Sequence, residues 1–367
     1  MSGLLNLAAD LVRIDSRSFV SNITMADRVE VALEGFDVER LDYLDDAGIA
    51  KRALVARKGS GVGGIAFSGH MDTVPDTGWT SDPWSGRVED GWLHGLGSTD
   101  MKGALAACIY AARTLPVEIP VMLLISTDEE TTKAGARIIQ AKSELVRRHM
   151  PAAIMVAEPT RMVPVRGHRS SINFLAVTTG KQAHSSTGRG QNANWDMVGF
   201  MVAMRAIHRR LLDDRAWHDT AYDPPTSDFN MVIDNHGAPV NMTVPRTTVK
   251  IKFRYSAGIE PAQIVAEVGE AARSFGVDLT VTREGPPPEM SEEHPLIRLC
   301  VALTNQPSTT APYGTDASEL MPIAPCVILG PGDIWEAHTP DEKLLISELE
   351  AAVPVFIRLA ERVADGI

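Results

Sequence analysis

Cysteine is scarce, with only Cys108, Cys300 and Cys326 in 367 residues. Three scattered thiols are too few for a disulfide framework or a thiolate zinc cluster. Long apolar runs are also missing. No stretch reaches the roughly 18 consecutive apolar residues that a membrane-spanning helix needs. Positive charge is outweighed, because 35 Lys+Arg against 47 Asp+Glu leave a net charge of −12. That balance argues against nucleic acid or an anionic membrane as partner. A secretory pattern is absent from the first residues, since Asp10 interrupts the apolar Leu4 to Leu11 and Arg13 follows. The cytoplasm is therefore the expected location. Internal repeats and low-complexity tracts are lacking. So are the G-x-S-x-G elbow and the H-E-x-x-H helix, which removes the commonest serine-hydrolase and single-zinc readings.

What remains is an ordinary globular composition, 44% apolar and 22% charged, on a chain long enough for two domains. Residues 3–14 and 26–35 read as helices, with Leu4, Leu7, Leu11 and Ile14 on one face of the first. Residues 53–57 and 65–68 read as strands joined by Gly59-Ser60-Gly61-Val62-Gly63-Gly64. The joint matches G-x-G-x-x-G, but a dinucleotide site needs a helix directly after it, and Ile65-Ala66-Phe67 continues as strand. A hairpin turn is the expectation there. A helix over 101–115 follows, then a strand at 121–125, a helix at 131–147 and a strand at 152–157. Near the other end lie a strand at 326–329 and a helix at 347–363. The four apolar strands suit burial on both faces.

Residues 170–284 differ in character. The pattern predicts strand 171–178, helix 194–213, strands 228–234 and 247–255, helix 260–275 and strand 277–282. That β-α-β-β-α-β order is the ferredoxin-like arrangement. Val249, Ile251, Phe253 and Tyr255 alternate along one face, so this sheet should be half exposed. Gly285-Pro286-Pro287-Pro288 reads as a stiff linker back to the first domain. The expected organisation is an α/β catalytic domain, 1–169 with 285–367, built on a mixed, mostly parallel sheet flanked by helices. An α+β domain, 170–284, is inserted into it.

Each buried strand releases an ionisable residue just beyond its C-terminal end: His70, Glu129 and Glu130, Glu158, and His338. That rim is where open α/β sheets bind ligands. His70 and Asp72 stand two apart and share a face in extended backbone, so one can ligate a metal while the other fixes its tautomer. Asp100, in a glycine-bracketed turn, can bridge two cations. Glu129 and Glu130 diverge, so one can ligate while the other serves as general base. Nitrogen and carboxylate ligands of this kind suit two divalent metals, zinc first, with cobalt or manganese as substitutes. A metal pair lowers the pKa of bound water and polarises a carbonyl.

Five ordered motifs carry a resemblance. They are Gly69-His70-Met71-Asp72-Thr73-Val74-Pro75, Gly95-Leu96-Gly97-Ser98-Thr99-Asp100-Met101-Lys102-Gly103, Asp128-Glu129-Glu130-Thr131, Glu158-Pro159-Thr160 and Ala337-His338. Across nearly the whole chain the sequence resembles the di-zinc aminoacylase/carboxypeptidase family that includes acetylornithine deacetylases, succinyl-diaminopimelate desuccinylases and glutamate carboxypeptidases. The resemblance implies that Asp100 bridges, that His70 and Glu158 hold one metal, and that Glu130 and His338 hold the other. It implies Asp72 as orienter of His70, Glu129 as general base, and a cis peptide after Asp100. The inserted domain is then a dimerisation and lid domain. Its His184, in Gly180-Lys181-Gln182-Ala183-His184-Ser185-Ser186, would reach the neighbouring subunit's site in a homodimer and stabilise the oxyanion. Asn241 and Arg254 resemble the pair that holds the substrate carboxylate, and Thr315 and Gly332 resemble further substrate contacts.

Local features look most like the acetylornithine deacetylase branch, including Gly95-Leu96-Gly97, Pro164-Val165-Arg166-Gly167-His168 and His338-Thr339-Pro340-Asp341-Glu342. The implied activity is hydrolysis of a small N-acyl amino acid, of the N-acetylornithine type. Desuccinylase, carboxypeptidase and amine or carbamoyl hydrolase activities are the alternatives within the family. Lys252 stands where the family usually has aspartate, and Tyr255 where it has proline, so acyl group and amino acid stay open. Outside the family, the alternatives are an inactive metal-binding relative and a dinucleotide enzyme built on Gly59 to Gly64.

Overall fold

The structure is a computed structural model and describes residues 3–366. The chain divides into two compact units: Met1–Gly167 with Pro288–Thr309 and Thr315–Ile367, and His168–Pro287 with Thr310–Gly314.

In the first unit, four parallel strands lie side by side in the order Val121–Ser126, Ile65–His70, Ala153–Val156 and Cys326–Ile328. Every residue of the four is buried. The sheet continues antiparallel through Ala50–Lys58 to an edge strand, Asp37–Leu44, and on its other side antiparallel to Val165–His168. Helix Gly103–Thr114 packs on strands Ile65–His70 and Val121–Ser126 and on helices Gly3–Val12 and Ile346–Ala364. Its buried alanines at 104, 106, 107, 111 and 112 let its backbone approach closely. Helix Ala134–Lys142 packs on strands Ala50–Lys58 and Val121–Ser126. A three-stranded ribbon, Lys343–Leu345 with Trp92–His94 and Arg87–Glu89, stands apart from the large sheet.

Three differences from the sequence expectation have physical causes. Gly59 to Gly64 is not a hairpin turn, because strand Val121–Ser126 lies between the two strands it connects. The loop crosses the start of that strand: a Cβ on Gly64 (φ +78°) would stand 2.0 Å from the Pro120 carbonyl oxygen. Its glycines serve a close backbone crossing, and the strand that follows leaves no place for a dinucleotide. The expected helix 131–147 is two helices, Ala134–Lys142 and Glu144–His149, broken at Ser143, whose hydroxyl accepts from the Val146 N–H at 3.1 Å. Strand Asp37–Leu44 lacks a clear sequence signal because it is an edge strand with no buried residue, where polar and apolar residues mix without a strict period. The second expected helix spans Ile23–Ala32, and helix Pro295–Thr304 was not anticipated.

The second unit follows the β-α-β-β-α-β order: Ser170–Thr179, Asn194–Asp213, Asp228–Asp234, Arg246–Tyr255, Ala262–Ser274 and Asp278–Arg283. Its sheet is antiparallel throughout, with strand order second, third, first, fourth. Val249, Ile251, Phe253 and Tyr255 are buried, with Phe174 and Phe200 in the same core. Lys250 and Lys252 lie on the opposite face, and the first of them is exposed. This alternation is the expected signature of a half-covered sheet.

Candidate metal centre and active site

The common C-terminal edge of the four parallel strands gathers the ionisable residues. His70 ends its strand; Glu129 and Glu130 follow Ser126 by three and four residues; Glu158 follows Val156 by two. Asp100 comes from the tight turn Ser98–Lys102 that leads into helix Gly103–Thr114, and the peptide between Asp100 and Met101 is cis. His338 arrives on a loop beyond Cys326–Ile328 with a left-handed φ of 60°.

These residues form two triads with one shared member: His70, Asp100 and Glu158, and Asp100, Glu130 and His338. Within each, the potential ligand atoms lie within 4.8 Å of one another. Asp100 divides its two oxygens between them. Oδ1 is 3.1 Å from His70 Nε2, and Oδ2 is 3.3 Å from His338 Nε2. Glu158 Oε1 is 3.9 Å from His70 Nε2, and Glu130 Oε1 is 3.0 Å from His338 Nε2.

Asp72 stands behind His70. Its backbone oxygen lies 3.0 Å from His70 Nδ1 and its Oδ1 3.5 Å from the same nitrogen, which leaves Nε2 for the triad. The carboxylate is held by the Ser18 hydroxyl at 2.8 Å and by the N–H groups of Glu129 at 3.1 Å and Glu130 at 3.3 Å. One residue therefore fixes both: its backbone oxygen holds the imidazole of the first triad, and its carboxylate holds the backbone that carries the two glutamates. Glu129 points elsewhere: its Oε1 is buried without a hydrogen-bond partner.

The electrostatics are those of buried carboxylates short of positive charge. Burial and the nearby Asp100 charge push Glu158 well above its ordinary range and raise Glu130. Burial likewise lifts Glu129 well above its ordinary value, partly offset by Lys133 and reinforced by Asp316. Burial lifts Asp316 to about 6. For Asp100 burial acts upward too, yet hydrogen bonds from His338 and His70 hold it below the usual range. The same bonds, to Asp100 and Glu130, raise His338 to about 11. For His70, hydrogen bonds to Asp100 and Asp72 overcome the burial that would depress it. Each imidazole is drawn toward a positive charge at the atom that faces the carboxylates. A nitrogen-and-oxygen donor set with that demand fits divalent cations of the zinc type.

One residue that sequence reasoning named only as part of a motif turns out to organise the turn. Glu342, 1% exposed, accepts from the N–H of Gly97 at 3.0 Å, Thr99 at 2.9 Å and Asp100 at 3.0 Å. Burial pushes its carboxyl up to about 7 against those three donors. The ribbon places it: Lys343 pairs with His94, and the Glu342 carbonyl accepts from Gly95 N–H at 3.0 Å. No local signal marks such a partner, because it lies more than 240 residues away.

The remaining sequence-named residues are placed as follows. Thr315 is buried in the first unit, where its hydroxyl accepts from Ala317 N–H at 3.1 Å. Gly332 (φ +93°) lies against Thr99 and Pro159, close to the Asp100 and Glu158 turns, and its N–H donates to Glu348 at 3.1 Å. In the second unit, His184 is exposed and its Nδ1 accepts from Ser186 N–H at 3.3 Å. Asn241 lies on the adjacent segment, its carbonyl accepting from Ser185 N–H at 2.9 Å. Arg254 is already tied to Asp228 by an ion pair of 2.7 Å.

Comparison with known proteins places the chain in a family. Residues 66–362 match peptidase family M20/M25/M40. An acetylornithine deacetylase from Vibrio vulnificus is 32% identical over 336 residues, covering 88% of this chain and 86% of that protein. Two solved structures share the fold. An M20 family metallo-carboxypeptidase from Sulfolobus solfataricus is 15% identical with a TM-score of 0.77, over 100% of both chains. A dinuclear metal-binding M20 peptidase from Bacillus subtilis is 16% identical with a TM-score of 0.63, over 99% of this chain and 98% of that one.

Proposed function

The chain belongs to peptidase family M20/M25/M40, a family of hydrolases, and from that premise we propose that it cleaves the amide bond of a small N-acyl amino acid, with N-acetylornithine as the best representative. The observation that carries this reading is Asp100, one buried carboxylate facing a histidine and a glutamate on each side. His70, Asp100 and Glu158 would hold one divalent cation, and Asp100, Glu130 and His338 a second. Such a pair, zinc with cobalt or manganese as substitutes, supplies an acidified water and a polarised acyl carbonyl.

Glu129 takes the proton from the attacking water and returns it to the leaving nitrogen. Burial raises its carboxyl above the ordinary range, which favours holding the proton for return to the leaving nitrogen. Asp72 keeps His70 in the tautomer that presents Nε2. In His184, acceptance at Nδ1 leaves the proton on Nε2, so an exposed imidazole offers an N–H donor for an oxyanion. That donor would serve a neighbouring subunit's site in a homodimer. Supporting self-association, helix Asn194–Asp213 exposes Trp195, Val198 and Val202, and edge strand Asp228–Asp234 exposes Met231, Val232 and Ile233. Asn241 and Arg254 would take the substrate carboxylate, and Thr315 and Gly332 would line its path. The linkage of Arg254 to Asp228 leaves its other guanidinium N–H groups for that task.

The test is chelation followed by metal analysis on N-acetyl, N-succinyl and N-carbamoyl amino acids. Activity should vanish with the metal and return on adding zinc, cobalt or manganese. Glu129→Ala should keep both metal equivalents and lose turnover by about 10²–10⁴-fold. Activity that survives complete chelation overturns the reading.

A further inference from the structure

The second unit contains a buried cation that no part of the proposed chemistry uses. Arg169 is 3% exposed. Its guanidinium donates to the Pro224 carbonyl oxygen and lies 5.4 Å from the centre of the Tyr222 ring, while its Nε is buried without a hydrogen-bond partner. Among the described residues no carboxylate stands within ion-pair distance of it. Arg254 raises the local positive potential further. Removing a guanidinium from water without a paired anion is costly, and proteins rarely accept it unless another charge arrives.

A cavity of about 380 Å³ opens beside it, lined by Arg169, Arg254, His208 and Asp228 with apolar walls from Leu212, Phe229 and Tyr313. All of these belong to the second unit. Its size suits a molecule no larger than an amino acid derivative. Asp228 pairs directly with Arg254 at 2.7 Å and, like Asp219, acts on Arg169 only from a distance, so Arg169 has no carboxylate bonded to its own guanidinium. A guanidinium without a bonded carboxylate, within partly apolar walls and with two acidic residues near it, matches a monoanion with an organic body better than a dianionic phosphate. A carboxylate accepts two parallel bonds from a guanidinium fork, the geometry for which arginine is suited.

We propose that this cavity of the inserted unit is a binding site for an organic monocarboxylate, held by Arg169. The carboxylate is either that of the substrate or that of a separate small acid. The site shares only Arg254 with the proposed function and does not depend on the metal triads.

Isovalerate, a monocarboxylate with no amide to hydrolyse, is the probe. Thermal unfolding of the metal-loaded enzyme is followed in isovalerate, in phosphate and in chloride at equal ionic strength. Isovalerate should raise the melting temperature of the wild type, with phosphate weaker. In Arg169→Met that response should fall at least tenfold in apparent affinity. The same variant without added acid should melt no lower than wild type, since an unpaired buried charge has been replaced by an apolar chain. A guanidinium that is merely a strut on Tyr222 and Pro224 predicts the reverse: a lower melting temperature and an unchanged response to isovalerate. That outcome overturns the site. Should Arg169→Met fail to fold, His208→Trp narrows the cavity from an exposed helix position, and an unaltered isovalerate response there overturns the proposal equally. His338→Ala separates the two readings, because it should lose metal yet keep the Arg169-dependent response. Competition between isovalerate and N-acetyl amino acids, with a matching rise in KM for Arg169→Met, identifies the substrate as the source. An unchanged KM with retained isovalerate binding identifies a separate acid; either result supports the site.

Discussion

The parallel strands of the first unit are buried on both faces, whereas those of the inserted unit alternate between a covered face and an open one. The difference reaches their ionisable residues. In the first unit Asp72, Asp100, Glu158, Asp316 and Glu342 all sit in the interior, linked by histidines, hydroxyls and backbone N–H groups. In the inserted unit His184 and Arg254, with the polar Asn241, stand at exposed or half-exposed positions, whereas His168 and Arg169 are buried. A sheet enclosed on both sides presents its ionisable side chains together at one edge. An open sheet offers groups that act on whatever docks against it.

Three substitutions would break or sharpen that contrast. The largest effect is expected at the shared ligand. Asp100→Ala removes a member of both triads, so both metal equivalents should be lost together and activity with them, as metal analysis and assay can measure. Retention of one full equivalent would mean that the triads are independent.

A smaller loss is expected from the open unit. His184→Ala should keep both metals and the melting temperature while turnover falls by about 10²–10³-fold, the usual consequence of removing one oxyanion donor. Mixing His184→Ala with Glu129→Ala should restore part of the activity, because a mixed dimer regains one intact site. No recovery after subunit exchange would confine His184 to its own chain or to no catalytic role.

The smallest effect belongs to Glu342. Three N–H bonds to one carboxylate, each contributing about 1.5–3 kcal/mol, hold the turn that aims Asp100. Glu342→Gln keeps the size but loses the charge and turns an amide N–H donor toward one of these backbone N–H groups, so metal should bind about 10–100-fold more weakly. The variant also carries a pH signature. In the metal-free protein the folded carboxyl titrates near 7 against an ordinary 4.5, so the folded state holds its proton to higher pH than the unfolded state does. Stability from this group is therefore present below pH 4.5 and declines as pH rises to 7. Denaturant unfolding should show that decline flattened in Glu342→Gln. An unaltered slope and unaltered metal affinity would leave Glu342 as a turn anchor only.

Much of the first unit was legible because its signals are local. His70 and Asp72 sit two residues apart at a strand end; Asp100 is bracketed by glycines; Glu158 follows a run of apolar residues. Strand burial and residue spacing announce such features through the immediate backbone. The regular alternation from Val249 to Tyr255 marked a half-covered sheet for the same reason. The edge strand Asp37–Leu44 was not legible, since none of its residues is buried and its mixed polar and apolar residues keep no strict period. Nor was the break at Ser143, where a single side-chain cap overrode a helical pattern.

The sequence by itself determined the two sheet types and brought the ligand residues to the ends of particular strands, because periodicity and turn chemistry act over a few residues. Tertiary structure alone decided how those ends meet. It put strand Val121–Ser126 between two strands that looked like a hairpin, and turned Glu130 toward His338 while Glu129 kept a free oxygen. It carried Glu342 across more than 240 residues to the Asp100 turn, and left Arg169 buried without a bonded carboxylate. Such pairings depend on which strands become neighbours. That choice is made by burying the whole core at once, and no short stretch of chain contains it.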